Sequence, residues 1–325
     1  MRLTKRPVLC NYYVTYRCNA ACGFCDIWEK PSPYVNIENV RENLRDLKKL
    51  GVKVIDFTGG EPLLHKELPI FLKLAKDLNF ITTVTTNTLL YPKHAEALAG
   101  LIDMLHFSLD APTAEEHNQS RGVNCFDHFL RSIQIAKSLG ERPDILFTVN
   151  SSNIHHIKQV YEEITVPNQL MLILNPIFSY SDIGSELSEK DLEILEHWGK
   201  RKGVYLNKAF LTLRRNGGNN INDPSCFAGS TTVVISPENN LILPCYHLNK
   251  AELPIDGNLI ALRQSETVQK EIQLEGRHEK CQGCTINCYF QPSFSVNLNK
   301  YFFESLSSTL KYAFHKGTWK ELLKS

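Results

Sequence analysis

Val8-Leu-Cys-Asn-Tyr-Tyr-Val-Thr-Tyr16-Arg-Cys18-Asn-Ala-Ala-Cys22-Gly-Phe-Cys25 joins an apolar segment to a C-x3-C-x2-C run. The first part, Val8 to Tyr16, reads as a strand. The second sets three thiols close enough to share one metal centre, one ligand short of four. A structural zinc site takes four protein ligands in a closed tetrahedron, whereas three thiolates on a 4Fe-4S cube leave one iron open to an exogenous molecule. A zinc knuckle with a distant fourth ligand, or three buried thiols, satisfies the same spacing. The surroundings of the run have to choose.

Working outward, the chain alternates strand-like and helix-like segments. Ile37 to Leu50 has apolar residues at Val40, Leu44, Leu47 and Leu50, the spacing of one helix face, and Gly51 closes it. Lys53 to Phe57, Phe80 to Thr85, Asp103 to Leu109, Ile145 to Val149 and Leu170 to Leu174 read as further strands. Leu68 to Leu78, His94 to Leu101, Phe126 to Leu139 and Ile154 to Ile164 read as the intervening helices. With helix-like Glu189 to Arg201 after the last of these strands, six such units in a row call for parallel strands with right-handed crossovers.

The polar motifs then decide between an open sheet and a barrel. The Cys run follows the first strand, Thr58-Gly-Gly-Glu-Pro62 the second and Thr86-Asn87 the third; Ser108-Leu-Asp110, Asn150 and Asn175-Pro176 end the others. Each unusual polar cluster stands at a strand C-terminus. In a barrel those ends line one mouth, where such enzymes keep their active sites. The expected fold is α/β, a partial (β/α)6 TIM-like barrel with a small C-terminal cluster-binding extension.

At that mouth, Gly59 and Gly60 offer backbone that approaches a ligand without a Cβ, Glu61 a carboxylate for an amine, and Pro62 a rigid turn. An ordinary strand-to-helix loop has the same vocabulary. Ser108 and Asp110 suit ribose hydroxyls or a cap. His117 and Arg121 share a helix face, and Arg121 can fork onto a carboxylate or stand as an exposed ion-pair partner.

Together, the C-x3-C-x2-C run with Phe24 before its last Cys and the Gly59-Gly-Glu-Pro62 turn resemble the radical S-adenosylmethionine superfamily, in barrel order along roughly the first half of the chain. The resemblance implies that Cys18, Cys22 and Cys25 ligate a 4Fe-4S cluster whose fourth iron takes the amino and carboxylate groups of S-adenosylmethionine. By the same resemblance Phe24, Gly59, Gly60, Glu61 and Pro62 belong to the cofactor site, with Glu61 on the amine and Arg121 on the carboxylate. Ser108 and Asp110 look like ribose contacts. Asn87 matches a Thr-Asn-Gly strand end, although Thr88 stands in place of the Gly. Such an enzyme reductively cleaves S-adenosylmethionine to a 5′-deoxyadenosyl radical that abstracts hydrogen from its substrate, and it draws electrons from a donor such as flavodoxin or ferredoxin.

The last third carries a second Cys group. Arg214-Arg-Asn-Gly-Gly-Asn-Asn220 reads as a connector, so the expected domains are 1–213, 214–290 and a helical tail 291–325. Thr231 to Ser236 and Leu241 to Leu243 flank Pro237-Glu-Asn-Asn240, a hairpin signal, with Cys226 before it and Cys245 after it. Cys281-Gln-Gly-Cys284 adds a C-x2-C knuckle. Four Cys close either a 4Fe-4S cube or a zinc tetrahedron. The pattern resembles the SPASM/twitch extension of the same superfamily, which implies that Cys226, Cys245, Cys281 and Cys284 ligate one auxiliary 4Fe-4S cluster; Cys288 is a departure that could exchange with one of them. Cys10 and Cys125 read as small buried hydrophobes.

Composition narrows the partners. Of 325 residues 42% are hydrophobic, enough for a substantial core, and Lys+Arg of 36 against Asp+Glu of 35 leaves no field that favours nucleic acid. The N-terminus lacks the apolar stretch of a signal peptide, and ten Cys without export point to a reducing cytoplasm. In the tail, Phe302, Leu306, Leu310 and Ala313, with Phe303 and Phe314 beside them, fit a helix packed on the barrel. Accompanied by Lys311, Lys316 and Lys320, that helix also suits contact with a membrane surface. The leading functional expectation is a radical enzyme on a small-molecule, lipid-like or cofactor-like substrate. A peptide- or protein-modifying maturase is the alternative, and a non-catalytic Fe-S electron carrier or sensor the reading of another class. No residue is assigned to the substrate side.

Overall fold

The structure, a computed structural model, describes residues 5–178 and 187–317. By their contacts they form two compact units, one of residues 5–144 and 228–275, the other of residues 145–227 and 276–317. Residues 214–290, expected as one domain, are divided between them.

The first unit is built on a mixed sheet whose central strands are parallel, with helices on one face. β1 (Leu9–Thr15) pairs with β2 (Val54–Gly59), β2 with β3 (Ile81–Thr86) and β3 with β4 (Met104–Leu109), all in parallel. Between them run α1 (Ile37–Lys49), α2 (Leu68–Asp77) and α3 (Tyr91–Leu98), followed by α4 (Ala114–Arg121) and α5 (Phe126–Ser138). The Asn36 side chain caps α1 by accepting from the Glu38 N–H, and Gly51, with φ of +89°, ends that turn in the left-handed region.

Strand alternation then sorts residues between two faces. Tyr12, Phe57 and Phe107 are fully buried against helices: the Tyr12 hydroxyl accepts from Asn43 Nδ2 of α1 at 2.8 Å, Phe57 lies tilted against Phe71 of α2, and Phe107 meets Tyr91 of α3. The residues between them face the other way, into the interior of the barrel.

The predicted hairpin forms, as β8 (Thr232–Ile235) and β9 (Asn240–Leu243), but it is not separate from the barrel strands. β8 lies parallel to β1, on the edge that β2 leaves free, and β10 (Ala251–Pro254) continues the sheet beyond β9. The reason is that β1 has an open edge whose backbone groups need partners. Pattern reading sees each strand but not its neighbour.

In the second unit, β5 (Asp144–Val149, all but its first residue in this unit), β6 (Leu172–Pro176) and the short β7 (Val204–Tyr205) are parallel in that order. β7 has no signal beyond two residues, too few for periodicity. α6 (Glu189–Gly199) starts with a capping box between Ser188 and Asp191. α7 (Lys208–Arg215) packs against the tail helix, here numbered α11 (Lys300–Lys316) after α8 (Leu259–Gln264) and α9 (Glu266–Gln273) of the first unit and α10 (Asn287–Ser293) of the second.

Ser305, Ser308 and Ala313 are the buried side of α11, while Phe303, Leu306, Leu310 and Phe314 form an exposed row. The Lys311 ammonium is engaged, donating to the carbonyls of Gly199 and Arg201; Lys320 lies outside the described residues. Among the described residues no helix is long and apolar enough to cross a membrane.

Candidate functional site

The Cys18–Cys25 loop is held by the end of α4. Ala21 N–H donates to the Arg121 carbonyl and Gly23 N–H to that of Ser120. Gly122 permits this docking: it sits at φ of +64°, and a Cβ there would stand 2.5 Å from the Ala21 carbonyl oxygen.

Arg121 is the electrostatic centre of the loop. Its Nη2 donates to Asp110 Oδ1 at 2.9 Å, its Nε stands 2.6 Å from Asp110 Oδ2, and its Nη1 reaches Cys22 Sγ at 3.8 Å. The guanidinium also lies over the Phe24 ring, 5.5 Å from its centroid. Ser120 Oγ donates to the same Asp110 carboxylate. Asp110 and Arg121, read separately as ribose and carboxylate contacts, are thus each other's partners in this structure. Ser108 is buried at the end of β4, shortly before Asp110 in the chain. His117, on the same helix face as Arg121, accepts through Nδ1 from the Asp110 N–H; burial and the Arg121 charge push its pKa down to about 3, so it stays neutral.

The two glycines of the second strand end have a structural cause. A Cβ on Gly59 would fall 1.9 Å from the Thr15 carbonyl oxygen, and one on Gly60 would fall 2.3 Å from that of Arg17. The close approach they permit is therefore to the C-terminal backbone of β1, which Gly60 N–H and Glu61 N–H bond through Thr15 O and Arg17 O. This contact delivers Glu61 beside the Cys loop. Glu61 Oε1 accepts from Leu63 N–H and Thr86 Oγ1, and Oε2 from Asn87 N–H. A carboxylate offers about four acceptor positions, so one remains for a ligand. Burial pushes the Glu61 carboxyl up to about 7 despite these bonds, and a cation at the free position would restore its charge. Pro62 opens the short 3-10 turn that follows.

Asn87 ties the third strand end to the same loop. Its Nδ2 donates to Asn19 Oδ1 at 2.8 Å and points to Cys18 Sγ at 3.9 Å. Thr88, in the place where a Gly was looked for, adopts φ of +70° and is fully buried. A β-branched residue is strained there; its Oγ1 donates to the Asn87 carbonyl.

The donors suit an iron-sulfur group. Burial pushes the Cys18 thiol up to about 11 and raises Cys22 and Cys25 as well, with Arg121 opposing at Cys22. They are soft ligands, loaded by loss of their protons, beside a fixed cation. Among the described residues, no three Cys, His, Asp or Glu side chains are gathered tightly enough to hold a single metal ion. Ligands of a cube bind different irons, so that arrangement is not what a cube requires.

In the second unit, Asn219 organises three of the later Cys, and sequence reading missed it. Its N–H donates to the Cys284 carbonyl and its carbonyl accepts from Gly283 N–H. Its Nδ2 donates to the carbonyls of Gly276 and Cys281, while Oδ1 accepts from the N–H groups of Ser225 and Cys226. Gly218 lies against Gly283, where a Cβ would stand 2.2 Å from its carbonyl oxygen. The segment read as a connector is a clamp. Its signal was the Gly-Gly-Asn sequence itself, an Asn free to bond backbone next to glycines that permit close approach.

Arg214, on the same segment, is half-buried and donates to the carbonyls of Phe210, Pro176, Ile177 and Thr285 and to Asn287 Oδ1. Burial pushes Cys284 up to about 11, and the Arg214 charge opposes that rise. Cys226 is buried, Cys281 and Cys284 half-buried, and Cys288 exposed on α10. Cys245 follows β9 in the first unit and is half-buried.

A thiol loop gathered with a buried carboxylate at the C-terminal ends of parallel strands defines the class: an α/β protein with a strand-end cluster site. Residues 12–164 match the family model described as Radical SAM superfamily, and this part of the chain is a domain of that superfamily. The chain is 29% identical over 201 residues to the Fe-coproporphyrin III synthase of Methanosarcina barkeri, covering 59% of this chain and 49% of that protein. It spans about half the length of the first curated relatives it matches. In fold it is similar to anSMEcpe with bound AdoMet, with a TM-score of 0.65 at 19% identity over 94% of this chain and 97% of the other. It is also similar to SuiB of Streptococcus suis bound to the precursor peptide SuiA, with a TM-score of 0.69 at 18% identity, covering 86% and 70%. These likenesses agree with the expected partial-barrel α/β class.

Proposed function

We propose that the protein is a radical S-adenosylmethionine enzyme acting on a small organic substrate. The observation that carries this is the convergence at Cys18: Asn87 points its amide at that thiol while its N–H binds Glu61, whose carboxylate has one acceptor position left. Cys18, Cys22 and Cys25 would hold a 4Fe-4S cluster, and Glu61 would take the ammonium of S-adenosylmethionine. With both bound, the group supplies an electron to the sulfonium and a 5′-deoxyadenosyl radical for hydrogen abstraction.

The chain's own residues bind and orient. Arg121 with Asp110 fixes the loop and places positive charge beside Cys22. Phe24 shields that pair from water, and Gly60 sets the height of Glu61. Ser108 stays as the proposed ribose contact. Similarity to a protein named for a tetrapyrrole product favours a small organic substrate over a peptide.

The same reading assigns Cys226, Cys245, Cys281 and Cys284 to an auxiliary 4Fe-4S cluster, with Cys288 as a possible exchange ligand. It names flavodoxin or ferredoxin as electron donor and the cytoplasm as location. The exposed row of α11 is the surface assigned to membrane contact.

Anaerobic reconstitution is expected to load roughly eight irons per chain, and the reduced protein to form 5′-deoxyadenosine. Cys22→Ala is expected to abolish that product and to remove about half of the iron. Cleavage that survives the substitution overturns the proposal; four irons plus zinc overturn only the auxiliary assignment.

A further inference from the structure

The face of the first unit's sheet opposite the helices is unusual for a barrel interior. Barrel cores are filled mainly by Val, Ile and Leu, and the lowest layer here follows that rule, with Leu9, Val54 and Ile81 in register. The next layer does not. Asn11 is aligned with Asp56, Asp56 with Thr83 and Thr83 with Met104. One layer higher, towards the Cys loop, Tyr13 is aligned with Thr58, and Thr85 with His106. Parallel partners in register point to the same side, so these residues face a common interior. The sheet therefore changes from apolar to polar towards the strand ends that carry the cofactor residues.

Two members of this layer have no protein partner. Asn11 is 4% exposed, and among the described residues its side chain makes no hydrogen bond. Asp56 is half-buried, makes neither a hydrogen bond nor an ion pair among the described residues, and partial withdrawal from water pushes its carboxyl up to about 7. Buried polar groups are ordinarily satisfied, and a carboxylate left without a partner destabilises the fold. The strands offer it no cation, because β1 to β4 and β8 contain neither Lys nor Arg. Arg121 is committed to Asp110, and Lys30 donates to the Tyr246 hydroxyl, 4.4 Å from that ring's centroid. His106, a layer above, bonds Thr85 Oγ1 and lies 3.8 Å from Asp144.

We infer that Asn11 and Asp56 form the substrate anchor, and that the substrate carries a protonated nitrogen, as an amine, amidine or guanidine, which pairs with Asp56 while Asn11 bonds a neighbouring polar group. The anchor rests on the proposed radical chemistry for its use: Asp56 is three residues before Gly59, so a nitrogen held there leaves the rest of the substrate reaching up to the strand ends. It also explains why a destabilising carboxylate is kept, since the ligand supplies the missing charge. Thr58 and Thr85 would then be walls that accept or donate to the same molecule.

The test uses the reconstituted full chain with S-adenosylmethionine at pH 8. Putrescine and benzamidine serve as probes, with N,N′-diacetylputrescine and benzamide as neutral counterparts, and binding is read by ligand-observed NMR. At least one cation is expected to bind, its neutral counterpart not to, and Asp56→Asn to weaken the cation about tenfold or more. Thermal unfolding gives a second reading that needs no ligand. Because the folded-state pKa of Asp56 is raised, its ionisation opposes folding increasingly from pH 4 to 7. Asp56→Asn, and Asp56→Ser as a second variant, should therefore melt higher than the wild type at pH 8, with a smaller gain at pH 5. The inference is overturned by equal binding of the neutral counterpart, by binding that survives both substitutions, by failure of every cation probe on the wild type, or by variants that melt lower at pH 8. Formation of 5′-deoxyadenosine by the wild type is measured in parallel. Its absence counts against the radical reading, whereas its presence with no cation binding counts against the anchor alone.

Discussion

The two cysteine regions solve one problem in different ways. Cys18, Cys22 and Cys25 lie on one short loop, and their support is charged: the buried Arg121–Asp110 pair grips Cys22 and Phe24 from the end of α4. Cys226 and the Cys281–Cys284 pair come from segments far apart in the chain, and their support is one neutral residue, Asn219, whose side chain bonds the backbone at Cys226 and Cys281 and whose N–H bonds the Cys284 carbonyl. A contiguous run needs little beyond orientation and charge. A dispersed set first needs its backbone brought together, which costs ordering entropy that hydrogen bonds to one buried amide help to offset.

The largest test breaks the charged support. Arg121→Met leaves Asp110 buried without its cation, which should cost about 4 kcal/mol, read as a lowered denaturant midpoint. The double variant Arg121→Met with Asp110→Asn should recover part of this. Iron at the first site should fall while the second site keeps its own. An equal loss at both sites would show the two regions to be one cooperative structure.

The neutral support should fail more gently. Asn219→Ala leaves the Cys226 N–H and the Cys281 carbonyl without their bonds, at about 2 kcal/mol. Iron loss is expected at the later Cys group, with 5′-deoxyadenosine formation still measurable from the first site. Asn219→Asp sharpens the comparison, because it keeps the acceptor for Cys226 and loses the donor for Cys281.

The smallest effect separates the regions by pH. Glu61 belongs to the first alone, and its raised pKa of about 7 makes its charge titrate in the working range. A protonated Glu61 has no charge for an ammonium, so affinity for S-adenosylmethionine should fall as pH drops through 7, about tenfold per unit. Calorimetric titration between pH 5.5 and 8 reads this slope, and Glu61→Gln should flatten it. A wild-type affinity independent of pH would remove Glu61 from the ammonium site.

Much of this was legible beforehand where the cause is local. Val40, Leu44 and Leu47 mark the helix face found buried in α1, and the strands at 54–59, 81–86 and 104–109 lie within a few residues of their expected ends. Gly59 and Gly60 were rightly singled out, but the backbone they approach is that of β1. The hairpin at Pro237–Asn240 was visible as a turn, whereas its alignment along β1 was not, since any open strand edge could have accepted it. Asp110 and Arg121 were both noticed, and only the fold makes them partners. Thr88 looked like a defect in the motif; its backbone takes the left-handed turn at a cost in strain.

The amino-acid sequence by itself determined the α/β class, the order of strand ends and the open-ended thiol run, because periodicity and short spacing are properties of neighbouring residues. Only the tertiary structure decided which groups share a face or a bond: Arg121 with Asp110, Asn219 with Cys226 and with the distant 276–284 stretch, Asn11 with Asp56. Those pairings depend on register and docking between elements, which are set by burial and backbone satisfaction across the fold and leave no periodic trace in the chain.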